Sequence, residues 1–425
     1  MRLQPDEEAM LDGREGPAVQ QAMALLVQYG EALGAERMVD VKNVCGANIF
    51  TPAQKQLAGG GDPAALFSQW SLNSDRPLSI PPVRVYSCQL IGPMDREAWA
   101  VQGMRPEDAQ AILASEAFSA QLGIQLMNTC TPYQVGNVPV KGEHCAWMES
   151  SAVVYINSVL GARSNVEGRE SAAAAMLTGK VPYWGYHIPE NRRATHLVWV
   201  DWDVESVMDW GLLGYWIGEV LEDEVPVIDN IRHVPNLVRL KHFGAAAASS
   251  GGTELYHIPG ITAEARTVEE ALQGAPPRRV WHYGARERRE TWEHLNSTGR
   301  DPEVDLVMIG CPHASIEQIW EVCRLLNGRR VHENTELWIF TPRALRHLAD
   351  RNGYTEILEK AGARLMSDTC PAIGQFLPKG TKVVAMDSAK QAHYLPAIMG
   401  VQGWFGSVAD CVEAAVTGRW QGGLQ

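Results

Sequence analysis

Hydrophobic and polar positions along the chain follow two alternating spacings, one typical of helices and the other of buried strands. Residues 17–38 carry apolar side chains at helical spacing, and Pro17 suits a first helical turn. Short apolar runs such as VRVYSC, LVWVDW, DLVMIGC and TKVVAM predict strands, whereas DVESVMDWGLLGYWIGEVL and SIEQIWEVCRLLNG predict helices. Strands that alternate with helices in this way predict an α/β fold with several mainly parallel sheets flanked by helices.

Two further segments are predicted to be strands. IQLMNTC is expected to deliver Cys130 at its carboxyl end, and NLVRLKHFGAAAASSGG to run as a strand into a loop of small residues. Glycine, alanine and proline interrupt the pattern between residues 245 and 280, so we expect two lobes, residues 1–250 and 280–425. Ligands of parallel sheets gather at the carboxyl ends of strands, and we expect the active site there.

The charge and the composition narrow the class of protein. The formal net charge is -13, which argues against a nucleic-acid-binding surface because such surfaces need a basic face. The N-terminal MRLQPDEEAM is acidic and has no apolar core, so a secretory signal is not expected. No uninterrupted apolar run reaches roughly 18 residues, the length of a membrane span. We therefore expect a cytoplasmic enzyme that binds neither nucleic acid nor membrane.

Three of the eight cysteines share one local pattern. Cys130, Cys311 and Cys370 each end an apolar run and have a proline one or two residues later. Their spacing is too wide for a ferredoxin or zinc-ribbon motif, so they can meet only through the fold. Three thiolates would leave an open position on a metal for a substrate hydroxyl, although three buried packing thiols remain the alternative. The other cysteines, Cys45, Cys88, Cys145, Cys323 and Cys411, are interpreted as packing residues.

The longer segments around these cysteines are more specific. CTPYQVGNVPVKGEHCAWMESSAVVYINSVLGARSNVEG, GCPHASIEQI, DTCPAI and MDSAKQAHYLPAIMGVQGWFGSVADCVEAAVTGRW resemble the aconitase X family, and the resemblance covers most of the chain. It implies an aconitase-like large domain over residues 1–425 and a dehydration assisted by an iron-sulfur cluster (2Fe-2S or 4Fe-4S) or a mononuclear iron. The metal ligands it implies are Cys130, Cys311 and Cys370.

The resemblance also implies a partner. The small swivelling domain of the family is either fused or supplied as a second subunit, and the large-domain motifs run almost to Gln425, so we expect a small partner chain. In aconitase-like enzymes a serine on the swivelling domain can act as the base. This chain is therefore expected to hold the metal and a small hydroxy-acid substrate, while the catalytic base comes from the partner.

Two loops depart from the family pattern. Members often show HVSGVS in the first strand-loop, where this chain reads NVCGANI, and the second loop reads CQLIGPMD. Gly46, Ala47 and Asn48 of the first loop are predicted to present backbone groups and one amide to the substrate. Both loops are expected to face the substrate, so the departure bears on substrate identity.

Polar residues within these motifs complete the predicted site. Arg163 could clamp a carboxylate through its guanidinium fork, and Lys390 could pair with an anionic group, although both also suit a solvated surface. His313 follows Cys311 by two residues, and a structural histidine is the alternative. Glu149, Ser150 and Ser151 form a polar cluster just before AVVYI, for which a helix cap is the alternative interpretation. The predicted substrate-binding residues are Gly46, Ala47, Asn48, Glu149, Ser150, Ser151, Arg163 and Lys390, and the predicted catalytic residues are Lys390, His313 and Ser150.

The resemblance favours a hydro-lyase that converts cis-3-hydroxy-L-proline into pyrroline-2-carboxylate. The alternative within the family is the large subunit of a mevalonate 5-phosphate dehydratase. Alternatives of other classes are a non-catalytic metal-binding subunit and a zinc hydrolase that uses the same thiolates.

Overall fold

The protein is described by a computed structural model that covers residues 1–46, 56 and 58–424. Its helices are α1 (Pro5–Leu11), α2 (Pro17–Ala32), α3 (Pro63–Ser71), α4 (Pro106–Gln121), α5 (Ser150–Tyr155), α6 (Arg169–Thr178), α7 (Val207–Leu221), α8 (Leu237–Gly251), α9 (Val268–Ala271), α10 (Ala285–Leu295), α11 (Ile316–Leu326), α12 (Arg343–Arg351), α13 (Tyr354–Ala361), α14 (Pro371–Gly374), α15 (Ala389–Met399) and α16 (Val408–Thr417). Short 3-10 and π turns span Pro132–Gln134, Ile156–Leu160, Gly185–His187 and Pro189–Arg192.

The strands of the described residues form four sheets. They are β1 (Met38–Asp40), β2 (Asn43–Cys45), β3 (Tyr86–Cys88), β4 (Cys145–Trp147), β5 (Lys180–Pro182), β6 (His196–Val200), β7 (Pro226–Asp229), β8 (Arg279–Tyr283), β9 (Leu306–Ile309), β10 (Glu336–Thr341), β11 (Arg364–Ser367), β12 (Val383–Met386) and β13 (Gln402–Phe405). Strands β1 and β5 pair antiparallel, and the other three sheets are parallel. The predicted α/β fold with mainly parallel sheets is confirmed.

Each parallel sheet has its own short strand order. The first runs β3-β2-β4, the second β7-β6-β8, and the third β11-β10-β9-β12-β13. The third sheet is the largest, and its strand β9 is buried throughout because apolar helices cover both faces. The carboxyl ends of β9, β11 and β12 lead into the segments that carry Cys311, Cys370 and Lys390.

Two predicted strands are wrong. Residues 237–251 form helix α8, which Asn236 caps by accepting a hydrogen bond from the Arg239 amide. The run Ala245–Ala248 favours this helix, since alanine has the highest helix propensity. The segment IQLMNTC forms only an isolated bridge between Gln125 and Cys88, so Cys130 arrives on an irregular segment.

The remaining cysteines lie in the hydrophobic core. Cys45, Cys88 and Cys145 are fully buried in one core cluster, and Cys323 and Cys411 pack in another beneath the third sheet. Their environment is that of packing residues. In the part of the chain that the structure describes, no helix combines the length and the apolar character needed to cross a membrane. The two-lobe division at residues 250 and 280 stays a prediction.

Candidate active site

A cavity of ≈ 80 Å³ lies at the carboxyl edge of the third sheet, where the irregular segment around Cys130 meets it. Six of the residues singled out in the sequence line it together: Cys130, Glu149, Cys311, His313, Cys370 and Lys390. They come from segments far apart in the sequence, so the fold alone brings them into one place.

Cys311 is held by a tight connection between β9 and α11. Gly310 has a φ of +103°, and a Cβ there would meet the Phe340 carbonyl oxygen at 2.3 Å, so only glycine fits. The Cys311–Pro312 peptide is cis. Ser315 then caps α11 by accepting a hydrogen bond from the Gln318 amide at 3.3 Å.

Cys130 is fixed by its threonine neighbours and by His313. The Thr129 and Thr131 hydroxyls lie 3.1 Å apart, and the Gln134 amide donates to the Thr131 hydroxyl at 2.6 Å. The His313 backbone amide donates to the Cys130 sulfur at 3.3 Å. The segments that carry Cys130 and Cys311 are therefore joined directly at the sulfur.

Cys370 follows β11 and precedes the short helix α14. Asp368 adopts a φ of +67° and accepts hydrogen bonds from the Arg343 backbone amide at 2.8 Å and from its Nε at 3.1 Å. The Gln102 amide reaches the Thr369 hydroxyl at 3.4 Å. These contacts tie the Cys370 segment to both the third sheet and the N-terminal region.

Burial controls the protonation of the three thiols. Burial raises the pKa of Cys130 well above the ordinary value and the pKa of Cys370 to about 12. Burial also raises the pKa of Cys311, although Lys390 and the Ser388 hydroxyl partly offset that rise. Without a metal the thiols keep their protons, and metal binding would displace them. Among residues 1–46, 56 and 58–424, no group of three or more His, Cys, Asp or Glu residues is arranged so that it could hold a metal ion.

Glu149 and Lys390 form an ion pair at the cavity wall. Lys390 Nζ lies 2.5 Å from Glu149 Oε1 and 3.3 Å from the Ser151 hydroxyl, which itself donates to Glu149 at 2.9 Å. Burial alone would raise the pKa of Glu149, but Lys390 and Ser151 outweigh it and the pKa is lowered. Burial would lower the pKa of Lys390, but Glu149 and then Cys311 raise it above the ordinary value. At neutral pH the cavity therefore presents one ammonium and one carboxylate.

Both ring nitrogens of His313 are used inside the protein. Nε2 lies 3.0 Å from the Thr369 carbonyl oxygen and must donate to it, so Nδ1 accepts from the Thr129 hydroxyl at 2.9 Å. Burial lowers the pKa of His313 to about 4, so the ring is neutral. The ring links the segments of Cys130 and Cys370, and this geometry favours a positioning role over the predicted catalytic one.

The structure places the other predicted residues unevenly. Gly46 lies beside Met148, one residue before Glu149, and Ser150 is half-buried at the start of α5. Arg163 forms a backbone bridge with His144, just before the amino end of β4, whereas Glu149 follows the carboxyl end of that strand. The Arg163 Nη1 donates to the His187 carbonyl oxygen at 3.4 Å. Arg163 is therefore not brought to the cavity. Ala47 and Asn48 lie outside the described residues.

Three further residues near the cavity were not singled out in the sequence. Lys241 is buried behind the Cys311 segment, and burial lowers its pKa to about 8. Burial raises the pKa of Asp387, which follows β12, to about 7. Tyr394 lines the cavity one helical turn after Lys390, and that spacing along α15 was the signal that could have found it.

Comparisons with known proteins show which family the chain resembles over most of its length. The family profile described as "Aconitase X first domain" matches residues 1–190, the second-domain profile residues 194–293, and the third-domain profile residues 304–417. Together these profiles cover most of the chain.

Curated relatives and a solved structure extend the match. The phosphomevalonate dehydratase large subunit of Methanocaldococcus jannaschii is 36% identical over 97% of this chain and 100% of its own length. The cis-3-hydroxy-L-proline dehydratase of Pseudomonas aeruginosa is 34% identical over 100% of this chain and 71% of its own length. The crystal structure of Thermococcus kodakaraensis aconitase X in its holo form superposes with a TM-score of 0.81 at 30% identity, covering 98% of this chain and 100% of that chain.

The relatives named as dehydratases share one reaction class, and those named as large subunits imply a small partner subunit. The sequence motifs, the parallel-sheet architecture and the profile matches over most of the chain agree. The chain therefore belongs to the aconitase X family and is a dehydratase, a lyase of the hydro-lyase class.

Proposed function

We propose that the chain dehydrates a small zwitterionic hydroxy acid, with cis-3-hydroxy-L-proline as the leading substrate. The observation that carries this proposal is the Glu149–Lys390 pair beside the three thiols. An imino acid carries one carboxylate and one cationic nitrogen, so Lys390 can bind the carboxylate and Glu149 the ring nitrogen. The substrate would then lie with its hydroxyl toward the thiols.

We infer that Cys130, Cys311 and Cys370 hold an iron-sulfur cluster. Iron-sulfur clusters are held in proteins by cysteine thiolates. The three thiols line one cavity, although Cys130 lies far along the chain from Cys311 and Cys370. When bound, the cluster would supply Lewis-acid assistance to the departing hydroxyl through a position that the protein leaves open.

The base is inferred to come from a small partner subunit. Among the predicted residues at the cavity, His313 uses both ring nitrogens and Glu149 is held by Lys390, so neither is poised to take a proton from carbon. This chain would bind and orient the substrate, and the partner would complete the site. Ser150, half-buried at the start of α5, stays a predicted contributor.

The second candidate is dehydration of mevalonate 5-phosphate. It is supported by relatives named as phosphomevalonate dehydratase large subunits, which match this chain over 95–100% of their own lengths. A phosphate, however, carries more negative charge than the single ammonium of Lys390 balances next to Glu149. The imino acid is the better electrostatic match.

The test is anaerobic co-purification of the chain with the product of its neighbouring gene. Both substrates are assayed side by side for product formation, with iron and acid-labile sulfide measured on the same sample. Turnover of cis-3-hydroxy-L-proline that is lost in Lys390→Met supports the leading proposal. Turnover of mevalonate 5-phosphate alone would replace it with the second candidate, and activity of the chain without a partner would overturn the inferred origin of the base.

A further inference from the structure

Lys241 is a buried lysine with no carboxylate beside it. The residue is 2% exposed, and Nζ donates to Gln318 Oε1 at 2.5 Å and to the His313 carbonyl oxygen at 2.8 Å. Lys180 and Lys390, by contrast, lie within 2.8 Å and 2.5 Å of a carboxylate. Among the ion pairs within 4.0 Å that the described residues form, none includes Lys241.

Such a charge needs a negative neighbour. Burying an ammonium without a counter-charge costs several kcal/mol, so proteins pair or neutralise buried charges. The groups that favour the charged form of Lys241 are, strongest first, Cys130, Asp387, Cys311 and Glu317. Two of these four groups are the thiols that face the cavity, so the ammonium of Lys241 lies near enough to the site to favour thiolates there.

The hydrogen bonds of Lys241 point to the same segment. Nζ also approaches the Pro312 carbonyl oxygen at 3.4 Å, so it holds two consecutive carbonyls directly after Cys311. Gln318, its third partner, lies in the first turn of α11 and accepts from the Ser315 amide at 3.1 Å. One side chain on α8 therefore fixes the loop that follows a cavity cysteine and the start of the next helix.

We propose that Lys241 is a positioning residue for the iron centre: it anchors the Cys311–His313 segment and supplies the fixed positive charge that balances the thiolates. This inference rests on the proposed function, because it requires iron bound by Cys130, Cys311 and Cys370. A nearby fixed positive charge stabilises the reduced, more negative state of a metal centre. Lys241 therefore raises the reduction potential of the centre as well as its affinity for iron.

The test compares the iron-loaded wild-type chain with Lys241→Met and Lys241→Arg. Iron affinity is followed by anaerobic titration with Fe²⁺ and sulfide, and the midpoint potential by spectroelectrochemistry. Lys241→Met should bind iron roughly 10- to 100-fold more weakly and shift the midpoint potential to more negative values. Lys241→Arg keeps the charge and the hydrogen-bond donors, so both measurements should stay close to the wild type.

Further variants separate the charge effect from unfolding. Lys241→Gln replaces the ammonium with a shorter, uncharged side chain that still donates a hydrogen bond. If Lys241→Met fails to fold, Lys241→Gln should still lower the midpoint potential. Lys379→Met makes the same chemical change at an exposed position and should leave both measurements unchanged. Wild-type affinity and potential in a folded Lys241→Met or Lys241→Gln protein would overturn this inference alone. A wild-type chain that binds no iron would overturn the proposed iron centre together with it.

Discussion

At the scale of single residues, the Glu149–Lys390 pair sets the charge of the cavity. Each side chain is 17% exposed, so little water screens the pair and each charge depends on the other. The short contact keeps Lys390 cationic and Glu149 anionic at neutral pH. The pair therefore presents complementary charges to a zwitterion without a change of protonation.

A double-mutant cycle on this pair tests the dependence. Glu149→Gln leaves the Lys390 ammonium unpaired and should lower the free energy of unfolding by about 3 kcal/mol. Lys390→Met leaves the Glu149 carboxylate unpaired and should lower the free energy of unfolding by a similar amount. The double variant should lose less than the two single losses added together. Urea unfolding of the metal-free chain measures all three.

The exposed pair Glu356–Lys360 is the matched control, because its side chains are 67% and 73% exposed. The same substitutions there should change the free energy of unfolding by less than about 1 kcal/mol. Strictly additive losses at Glu149 and Lys390 would contradict the pairing.

A histidine pair away from the cavity predicts a pH dependence. His144 Nδ1 and His187 Nδ1 lie 2.9 Å apart, and burial, together with nearby arginines, lowers their pKa values to about 4 and about 3. Unfolding returns them toward 6.5, so the unfolded chain binds more protons in acid. The stability they contribute is present above pH 6.5 and is lost as the pH falls toward 4 and then 3.

The free energy of unfolding, measured in urea from pH 7 to pH 4, should fall less steeply in His187→Gln than in the wild type. His347, whose side chain is 70% exposed, serves as the comparison, and His347→Gln should keep the wild-type slope. An unchanged slope in His187→Gln would contradict the assignment of the acid sensitivity to this pair.

At the scale of elements, helices α7 and α8 pack with their backbones in close contact. A Cβ on Gly218 would lie 2.1 Å from the Ser250 hydroxyl and 2.4 Å from the Ala247 carbonyl oxygen. Glycine on α7 therefore lets α8 approach closely and fixes its position. Since α8 carries Lys241, this contact also sets where Lys241 meets the Cys311 segment.

Gly218→Ala should lower the free energy of unfolding by about 1–3 kcal/mol, because the added methyl overpacks the helix contact. Gly211→Ala on the same helix is the control, since the nearest atom to its Cβ is Ala389 Cβ at an ordinary 3.7 Å. Thermal and urea unfolding compare the two. Equal stability of both variants would show that the close approach does not constrain the helices.

The sequence predicted the α/β architecture and the cavity cysteines better than it predicted the residues buried behind them. Cys130, Cys311 and Cys370 were found because each carries a local proline signal, and the cavity joins them. Lys241 was missed because its segment was predicted to be a strand and its partners lie far along the chain. The guanidinium chemistry that singled out Arg163 gave no information on its position, and strand pairing places it at the opposite end of β4 from Glu149. Contacts between distant segments have no local signal in one sequence.

At the scale of the whole molecule, the cavity joins two distant parts of the chain. Cys130 lies in the part matched by the first-domain profile, and Cys311 and Cys370 in the part matched by the third. Hydrogen bonds from Gly92 to the Asp368 carbonyl oxygen and from Ser367 to Asp95 already join these parts. Iron bound by all three thiolates would add a further link.

Iron loading should therefore raise the melting temperature of the whole chain in one transition. A ligand present at about 100 times its dissociation constant stabilises the folded state by about 2.7 kcal/mol. Differential scanning calorimetry should show this rise in the wild type and in Cys323→Ala, whose cysteine lies in the core beneath the third sheet. Cys130→Ala should lose most of the rise, and retention of the full rise would exclude Cys130 as a ligand.

The wide separation of the three cysteines along the chain also orders the events of biosynthesis. A growing chain on the ribosome exposes Cys130 long before Cys311 and Cys370 exist, and no earlier fragment contains all three thiols. Iron delivered during translation would meet at most an incomplete site. With iron held by all three thiolates as proposed, insertion of the metal would have to wait until synthesis has passed Cys370 and the third sheet has folded against the N-terminal region.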